Sequence, residues 1–470
     1  MTSLHDLSAL EQAAAIRSRE VSPVELVEHY LARVEVLADA VGAFVTVTAD
    51  RARAQARAAE RAVADGGDLP PLHGVPTAIK DLNAVAGVPM TAGSAAVPAL
   101  VPDYDDHVVT LLRRAGTISL GKTNTPEFGL PCYTEPDVAP PARTPWDLDR
   151  SAGGSSGGAG AAVAAGLVPF AHGSDGGGSV RIPSSVCGLF GIKVSRGRIS
   201  NGPVLGDVTG LGWSGPMART VRDAAAMLDA MAVPMPGDPH WAAPPAESFL
   251  AAADRDPGRL RIGRYRAPVI ADSTVHPDCL AAWEDASALL AAAGHEVEDV
   301  PGPFGPELLP AFTVVWSVGT AAVPVPPNAE GRLRPLTRWL REQGRATSGP
   351  TFVGAMQELQ RAARVAITAT SAYDAVLSPT LAQPPALIGA FRNDADPAAD
   401  FAAQARFTPF TSAYNMTGQP AVNVPLYWTA DGLPIGVMLA GRPADEATLI
   451  SLSAQLEVIR PWADRCPSGW

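Results

Sequence analysis

Two glycine-rich loops, each carrying serine, mark the stretch from Ser151 to Ser185, which reads SAGGSSGGAGAAVAAGLVPFAHGSDGGGSVRIPSS. Ser155 and Ser156 lie in the first loop, and Ser179 follows the second. Glycine is favoured where backbone approaches another group closely, so both loops predict such an approach. The segment between them predicts a buried helix that runs into a short strand. A hydroxyl can attack a carbonyl as a nucleophile, and exposed backbone N–H groups can stabilise the resulting oxyanion.

Length, charge and cysteine usage limit the classes of protein that this chain can be. Its 470 residues, 47% of them hydrophobic, supply an ample core. The net charge of −12 argues against a nucleic-acid or anionic-membrane surface. The four cysteines have no CxxC spacing, which predicts neither a disulfide framework nor a zinc site and indicates a reducing, cytoplasmic setting. The N-terminal pattern and the lack of a long apolar run disfavour export and membrane spanning.

The order of predicted elements indicates an α/β fold, because short apolar runs alternate with amphipathic helices from residue 72 onward. Helices are predicted at 4–18, 22–37, 49–65, 107–115, 278–294 and 446–458, with another that starts near 220. Strands are predicted at 43–47, 117–120, 260–265, 295–300 and 373–377, and a hairpin at 421–427 and 434–439.

No repeat of fixed period and no long flexible linker interrupts the chain, so we expect one domain over residues 1–470. Within it, residues 1–70 are expected to form a helical scaffold and 70–225 to hold the site. Residues 304–370 are predicted to be mostly helical, and 381–405 to be loop.

Several familiar motifs are incomplete. No G-x-x-x-x-G-K-[ST] occurs, so nucleotide binding is disfavoured. Gly153 to Gly157 matches G-x-S-x-G, but a nucleophile elbow needs a strand directly before it, and TPWDLDRSA does not predict one. Ser119 to Lys122 matches S-x-x-K, yet Ser119 lies in a predicted strand where that motif should open a helix. His73 and His172 are interpreted as structural or surface residues.

Lys80 ends an apolar run and directly precedes Asp81. One interpretation is a Lys–Asp ion pair at a strand end. The other is a buried amine whose pKa is lowered, so that the neutral form acts as a base for a hydroxyl. A site with two serines and no suitable histidine needs such a base. The residues alone leave both interpretations open.

Two further groups of residues have a structural and a functional interpretation. Asp175 and Arg181 flank the second glycine loop and are expected mainly to fix its geometry. Tyr133, Trp213 and Trp316 are candidates for the walls of a substrate pocket, although each is equally suited to core packing.

At these residues the sequence strongly resembles the amidase signature family of serine hydrolases. The motifs that carry the resemblance span most of residues 70–225 and are Gly74-Val75-Pro76 with Lys80-Asp81, Gly121 to Asn124, Gly153 to Gly158, Gly177 to Arg181, Cys187-Gly188 and Gly215 to Arg219. Agreement is weaker at Gly418 to Ala421 and at Gly432 to Gly436.

The resemblance implies a Ser–cisSer–Lys triad. Ser179 would be the nucleophile, Ser155 the bridging serine after a cis peptide, and Lys80 the base. Ser156, Asp175 and Arg181 would support the triad. The N–H groups of Gly176, Gly177, Gly178 and Ser179 would receive the oxyanion, and no metal or other cofactor would take part.

The resemblance also implies an α/β/α fold with a large mixed sheet, and closest likeness to bacterial aryl acylamidases and 6-aminohexanoate cyclic dimer hydrolases. The expected activity is hydrolysis of small to medium hydrophobic or aryl amides, with carbamates and esters as side substrates. Residues 304–330 would line the acyl pocket. The partner would be a small-molecule amide, and the enzyme a monomer or homodimer. The alternatives are the amidase subunit of a tRNA-dependent amidotransferase and a catalytically silent binding protein.

Overall fold

The computed structural model describes residues 3–204 and 206–470. Its strands are β1 (Phe44–Val47), β2 (Pro76–Lys80), β3 (Ile118–Thr123), β4 (Phe170–Asp175), β5 (Phe190–Lys193), β6 (Trp213–Ala218), β7 (Arg261–Arg264), β8 (Glu296–Asp299), β9 (Ala375–Pro379), β10 (Ala421–Trp428) and β11 (Pro434–Gly441). Its helices are α1 (Ala9–Ser18), α2 (Pro23–Val41), α3 (Ala49–Asp65), α4 (His107–Arg114), α5 (Gly157–Ala164), α6 (Arg181–Cys187), α7 (Val221–Met231), α8 (Phe249–Asp254), α9 (Pro277–Ala292), α10 (Leu309–Ala322), α11 (Pro335–Ala346), α12 (Gly349–Thr370), α13 (Pro397–Phe407), α14 (Ser412–Thr417) and α15 (Glu446–Ile459).

The N-terminal helices begin at capping serines. Helix α1 starts at Ala9 and not at residue 4, because Ser8 and Glu11 form a reciprocal capping box there. Ser22 caps α2 as the sequence predicts, and this helix continues past the predicted residue 37 to Val41, where Gly42 adopts a left-handed conformation. Helix α3 has the predicted bounds.

Two sheets form the centre of the molecule. A small sheet has the strand order β1-β3-β2, and a large one has the order β4-β6-β5-β10-β11-β9-β7-β8. The large sheet is mixed, since β9, β7 and β8 run parallel while β10 and β11 form the predicted antiparallel hairpin. The predicted mixed α/β architecture is therefore confirmed.

The side chains of strand β11 are buried on both faces of the large sheet, so each face needs a covering layer. These side chains alternate, so that Val437 and Leu439 join one buried cluster while Met438 and Ala440 join another. The first cluster includes residues of α7, α9 and α15, and the second includes residues of α10, α12 and α14. No helix in the described ranges has the length and apolar character that crossing a membrane requires.

The region 381–405 differs from its prediction as a loop, because α13 begins within it at Pro397. Asp396 accepts a hydrogen bond from the Ala399 amide and so caps this helix, and Pro397 occupies its first position. The helical content predicted for 304–370 is confirmed by α10, α11 and α12.

Candidate active site

Lys80 is the last residue of β2, a strand whose residues are all buried. Its side chain is fully buried, and its ammonium nitrogen Nζ lies 2.8 Å from Ser155 Oγ. Nζ also lies 3.0 Å from Ser174 Oγ and 3.3 Å from the Ser174 carbonyl oxygen. The amine therefore faces hydroxyl and carbonyl oxygens.

The structure places the neighbouring Asp81 with a different lysine. Lys122 Nζ lies 2.9 Å from Asp81 Oδ1, and both residues are buried. A Lys–Asp ion pair thus forms here, but through Lys122. Burial lowers the pKa of Lys80 to about 7, an effect that the negative charge of Asp175 partly opposes. A substantial fraction of Lys80 is consequently neutral near pH 7.

The first glycine loop holds Ser155 against Lys80. The Gly154–Ser155 peptide is cis, and Ser155 is 2% exposed. A Cβ atom at Gly154 would lie 2.7 Å from the backbone nitrogen of Tyr133, so this position has room only for glycine. The Ser155 carbonyl accepts a hydrogen bond from the hydroxyl of Thr125 at 3.0 Å.

Ser156 connects the first loop to the end of β4. Its hydroxyl donates to the Ser174 carbonyl at 3.2 Å and accepts from the Ser174 amide at 3.2 Å. These two bonds fix Ser174, which in turn contacts the Lys80 amine. Ser156 therefore holds Ser174 in place and does not itself contact the amine in the described hydrogen bonds.

Asp175 and Arg181 fix the second loop, which connects β4 to α6. The Asp175 carboxylate accepts from the amides of Gly178 at 2.8 Å and Val180 at 3.1 Å. Arg181 donates to both carboxylate oxygens, at 2.9 and 3.0 Å, and both side chains are fully buried. Burial alone would raise the pKa of Asp175, but the Arg181 charge and hydrogen bonds lower it to about 2.

Two residues of the C-terminal third complete this network. Asn415 accepts from Arg181 at 2.7 Å and donates to Asp175 at 2.9 Å. The Thr411 hydroxyl donates to the Gly177 carbonyl at 2.7 Å. The sequence analysis identified neither residue, because nothing in their local pattern connects them to a loop more than 200 positions earlier. Ser174 was also missed, although its place directly before Asp175 in the glycine-rich stretch was a usable signal.

The backbone amides of the second loop differ in availability. The Gly178 amide donates to Asp175, so it is not available for the oxyanion role that the resemblance implies for it. Within the described residues, the amides of Gly176, Gly177 and Ser179 make no hydrogen bond to the protein. Three of the four expected donors are thus free to bind an anionic oxygen.

Ser179 is 8% exposed and lines a cavity of about 60 Å³. Ser155 lines an adjoining cavity of about 260 Å³. No hydrogen bond joins Ser155 to Ser179 in the part of the chain that the structure describes. The structure therefore brings Lys80 into contact with Ser155, whereas Ser179 lines a neighbouring cavity that shares Leu130 and Trp316 with that of Ser155.

Of the three aromatic pocket candidates, Trp316 lines both cavities. Tyr133 is buried and lines neither of them, and its hydroxyl donates to Asp400 at 2.7 Å. Trp213 is buried in β6, where its indole N–H donates to the Gly210 carbonyl at 3.1 Å. Tyr133 and Trp213 thus pack in the core and line neither cavity. Among the described residues, no group of three His, Cys, Asp or Glu side chains is placed to hold a metal ion.

Comparison with known proteins identifies the family of this chain. Residues 25–450 match the model of the protein family described as Amidase. The chain belongs to this family. It is 36% identical over 482 residues to the 6-aminohexanoate-cyclic-dimer hydrolase of Paenarthrobacter ureafaciens, covering 98% of this chain and 96% of the relative. It is 35% identical over 480 residues to the acylamidase of Rhodococcus erythropolis, covering 99% and 98%.

Solved structures of amidase family members resemble the whole chain. A 6-aminohexanoate cyclic dimer hydrolase complexed with substrate gives a TM-score of 0.92 at 32% identity and covers 99% of each chain. A bacterial aryl acylamidase of the amidase signature family gives a TM-score of 0.88 at 26% identity and covers 98% of each. The predicted family membership is confirmed, and the protein is an amidase-family hydrolase acting on amides.

Proposed function

We propose that this protein hydrolyses hydrophobic or aryl amides through an acyl-enzyme formed on Ser179. The observation that carries the proposal is the buried amine of Lys80, which lies 2.8 Å from Ser155 Oγ. The amides of Gly176, Gly177 and Ser179, which make no hydrogen bond to the described residues of the protein, support it. A neutral lysine amine can accept a proton from a hydroxyl, whereas an ion-paired lysine cannot.

The proposed reaction moves one proton through two hydroxyls. Neutral Lys80 accepts the hydroxyl proton of Ser155, and Ser155 accepts the hydroxyl proton of Ser179. Ser179 Oγ then bonds to the amide carbon. The amides of Gly176, Gly177 and Ser179 stabilise the oxyanion. The C–N bond then breaks as Ser155 gives its proton to the leaving nitrogen and takes one back from the Lys80 ammonium. Water hydrolyses the ester, which releases the acid and returns Ser179 to its hydroxyl form. In this proposal the hydroxyls of Ser155 and Ser179 come within hydrogen-bond distance when substrate binds, because catalytic hydrogen bonds are often long in the free enzyme.

The cavity beside Ser179 supports an apolar substrate. Its walls include Leu130, Ile182, Phe312 and Trp316, and none of the described residues that line it is charged. A charged group placed there would lose its hydration without gaining a partner, which is costly. We therefore propose small to medium hydrophobic or aryl acyl groups. Carbamates and esters are proposed as side substrates, since the same acyl-enzyme route serves them.

A hydrolysis panel tests the proposal. Anilides, aliphatic amides, aryl carbamates and p-nitrophenyl esters would be assayed with the wild-type protein, Ser179→Ala and the exposed control Ser371→Ala. We expect Ser179→Ala to lose at least ~10³-fold in kcat/KM on amides and Ser371→Ala to match the wild type. Equal amide hydrolysis by Ser179→Ala and wild type would overturn the assignment of the nucleophile.

Covalent labelling separates an active hydrolase from a silent binding protein with the same loops. Phenylmethylsulfonyl fluoride reacts with activated serines, so we expect it to add one label to the wild type at Ser179 and none to Ser179→Ala. Lys80→Met should be labelled much more slowly. Failure of the wild type to be labelled, together with no turnover of any panel member, would favour the silent protein.

A further inference from the structure

Three oxygen atoms surround the amine of Lys80. They are Ser155 Oγ at 2.8 Å, Ser174 Oγ at 3.0 Å and the Ser174 carbonyl oxygen at 3.3 Å. The Lys80 side chain is fully buried, so these atoms are the polar contacts of its amine among the described residues. An ammonium group has three N–H donors and no acceptor, so each N–H of the charged form has one oxygen to bind.

The neutral amine has only two N–H donors, and its lone pair accepts a hydrogen bond. The Ser174 carbonyl can only accept, so it binds one N–H. The other N–H and the lone pair then face two hydroxyls, each of which can donate or accept. Two arrangements are possible, and the amine can remove the Ser155 proton only in the one that directs its lone pair at Ser155 and its N–H at the Ser174 hydroxyl.

The position of Ser174 is fixed through its backbone. Its amide and its carbonyl both bond to the hydroxyl of Ser156, at 3.2 Å each. Within the described residues, the Ser174 hydroxyl bonds only to Lys80, and Ser174 lines the same cavity as Ser155. The hydroxyl oxygen is therefore held beside the amine, while the hydroxyl proton is free to point into the cavity.

We propose that Ser174 is a positioning residue for the base: its hydroxyl oxygen accepts one N–H of neutral Lys80 and thereby directs the lone pair of the amine at the Ser155 proton. The proposal rests on the function proposed above, in which Lys80 is the base. Ser174 itself neither bonds to the substrate nor transfers a proton in this reaction. It determines which of the two hydroxyls the amine deprotonates.

The pH profile of activity can report on Lys80 because its acidic and imidazole neighbours keep their charge state. The negative charge of Asp175 partly opposes the lowering of the Lys80 pKa, and the pKa of Asp175 itself is about 2. His172 Nδ1 accepts from the Lys80 amide at 3.4 Å, and burial, with the charges of Lys80 and Lys122, lowers the pKa of His172 to about 3. Asp81 pairs with Lys122 at 2.9 Å. Neither Asp175 nor His172 changes charge between pH 5 and 9.

Ser174→Ala removes the acceptor and leaves Lys80, Ser155 and Ser179 in the chain. With the lone pair directed at Ser155, one buried N–H would then have no partner, which is unfavourable. We expect kcat/KM for an uncharged anilide to fall ~10- to 10²-fold on the plateau above pH 7. The ammonium form loses an acceptor as well, so the pKa of Lys80 should fall and the acid limb of the profile should move to lower pH by about half a unit or more.

Two variants of equal shape isolate the hydroxyl. Ser174→Thr restores it, and we expect kcat/KM within ~3-fold of wild type with the acid limb unmoved. Ser174→Val has the shape of threonine without the hydroxyl and should behave like Ser174→Ala, so this pair tests the inference even where Ser174→Ala is unstable. The control is Ser287→Ala, which removes a buried hydroxyl that donates to the Trp283 carbonyl at 2.8 Å in α9. We expect this control to keep the wild-type profile.

The outcomes separate this inference from the proposed function. If the wild type hydrolyses no amide, the proposed function fails. If the wild type is active and Ser174→Val matches Ser174→Thr in kcat/KM, the hydroxyl does not position the base. If the variants without the hydroxyl lose activity but their acid limb stays in place or moves to higher pH, Ser174 only maintains the structure around a burial site of the amine. In either of these last two cases the positioning role is overturned while amide hydrolysis stands.

Discussion

The hydroxyl of Thr411 donates a hydrogen bond to the carbonyl oxygen of Gly177 at 2.7 Å. The N–H of the same peptide, contributed by Gly178, donates to Asp175 at 2.8 Å. The peptide plane is thus held on both sides, and neither group can turn without losing its partner. The orientation of the adjoining amides, including that of Ser179, follows from this plane.

Thr411→Val removes the hydroxyl and keeps the shape of the side chain. We expect kcat for amides to fall about 5-fold with KM changed less than about 2-fold, because one hydrogen bond is worth roughly 1 kcal/mol. Thr411→Ser should restore kcat, since it restores the donor. Thr370→Val, which removes a helix hydroxyl bonded to Ala366, is the matched control. A Thr411→Val enzyme with wild-type kcat would exclude a positioning role for the hydroxyl.

Lys80 can be tested with two substitutions that separate basicity from charge. Lys80→Met removes the amine, and Lys80→Arg keeps a positive charge that cannot be deprotonated in proteins. We expect both to lose at least ~10³-fold in kcat/KM on amides, because a relay acts as a unit. Circular dichroism and thermal unfolding would establish that the variants are folded. Near-wild-type activity in a folded Lys80→Arg would mean that the lysine acts through its charge and not as a base.

The pH dependence of activity follows from the lowered pKa of Lys80. The proposed base is active when neutral, so log(kcat/KM) should fall with a slope near one as the pH decreases below about 7, and level off above it. Asp175 stays ionised across this range, since its pKa is about 2. Initial rates on an uncharged anilide between pH 5 and 9 would measure the profile. A flat profile between pH 5 and 8 would contradict a base with this pKa.

Glu457 makes the free energy of unfolding depend on pH, and this effect does not involve the candidate active site. Burial raises its pKa to about 7, with a smaller contribution from the charge of Asp223. Between pH ~4.5 and 7 the folded state therefore binds more protons at this position than the unfolded state, and the free energy of unfolding falls as the pH rises. We expect Glu457→Gln to increase that free energy by on the order of 1 to 3 kcal/mol at pH 8 and by little at pH 4. Urea unfolding at the two pH values is the measurement, and equal differences at both would refute the linkage.

Short sequence patterns were sufficient to predict many of the helices and strands. The Ser22-Pro23 start of α2, the bounds of α3 and the hairpin turn at Asp431-Gly432 all depend on residues that lie close together in the chain. The prediction was wrong for the second half of 381–405, where a single capping aspartate starts a helix that has no strong apolar periodicity. Helix starts determined by one cap are difficult to recognise without the structure.

The candidate site was predictable only in part. Lys80, Ser155 and Ser179 stand in recognisable motifs, but the choice between an ion pair and a free base depended on which lysine Asp81 meets, and Lys122 is 41 positions away from it. Likewise, Tyr133, Trp213 and Trp316 are all large aromatic residues, and the sequence alone does not distinguish a pocket wall from the core. Only the packing of the folded chain shows that Trp316 lines the cavities. Tertiary contacts at long sequence separation carry this information.

The contacts that Asn415 makes with Asp175 and Arg181 span more than 230 residues of chain. Without the C-terminal third, the Arg181 guanidinium and the Asp175 carboxylate lack the neutral side chain that hydrogen bonds to both. The network that holds the loop before Ser179, the proposed nucleophile, is therefore complete only once that part of the chain has docked. An incomplete chain that ends before Asn415 would carry Lys80, Ser155 and Ser179 and yet lack this network, so we expect it to hydrolyse no amide.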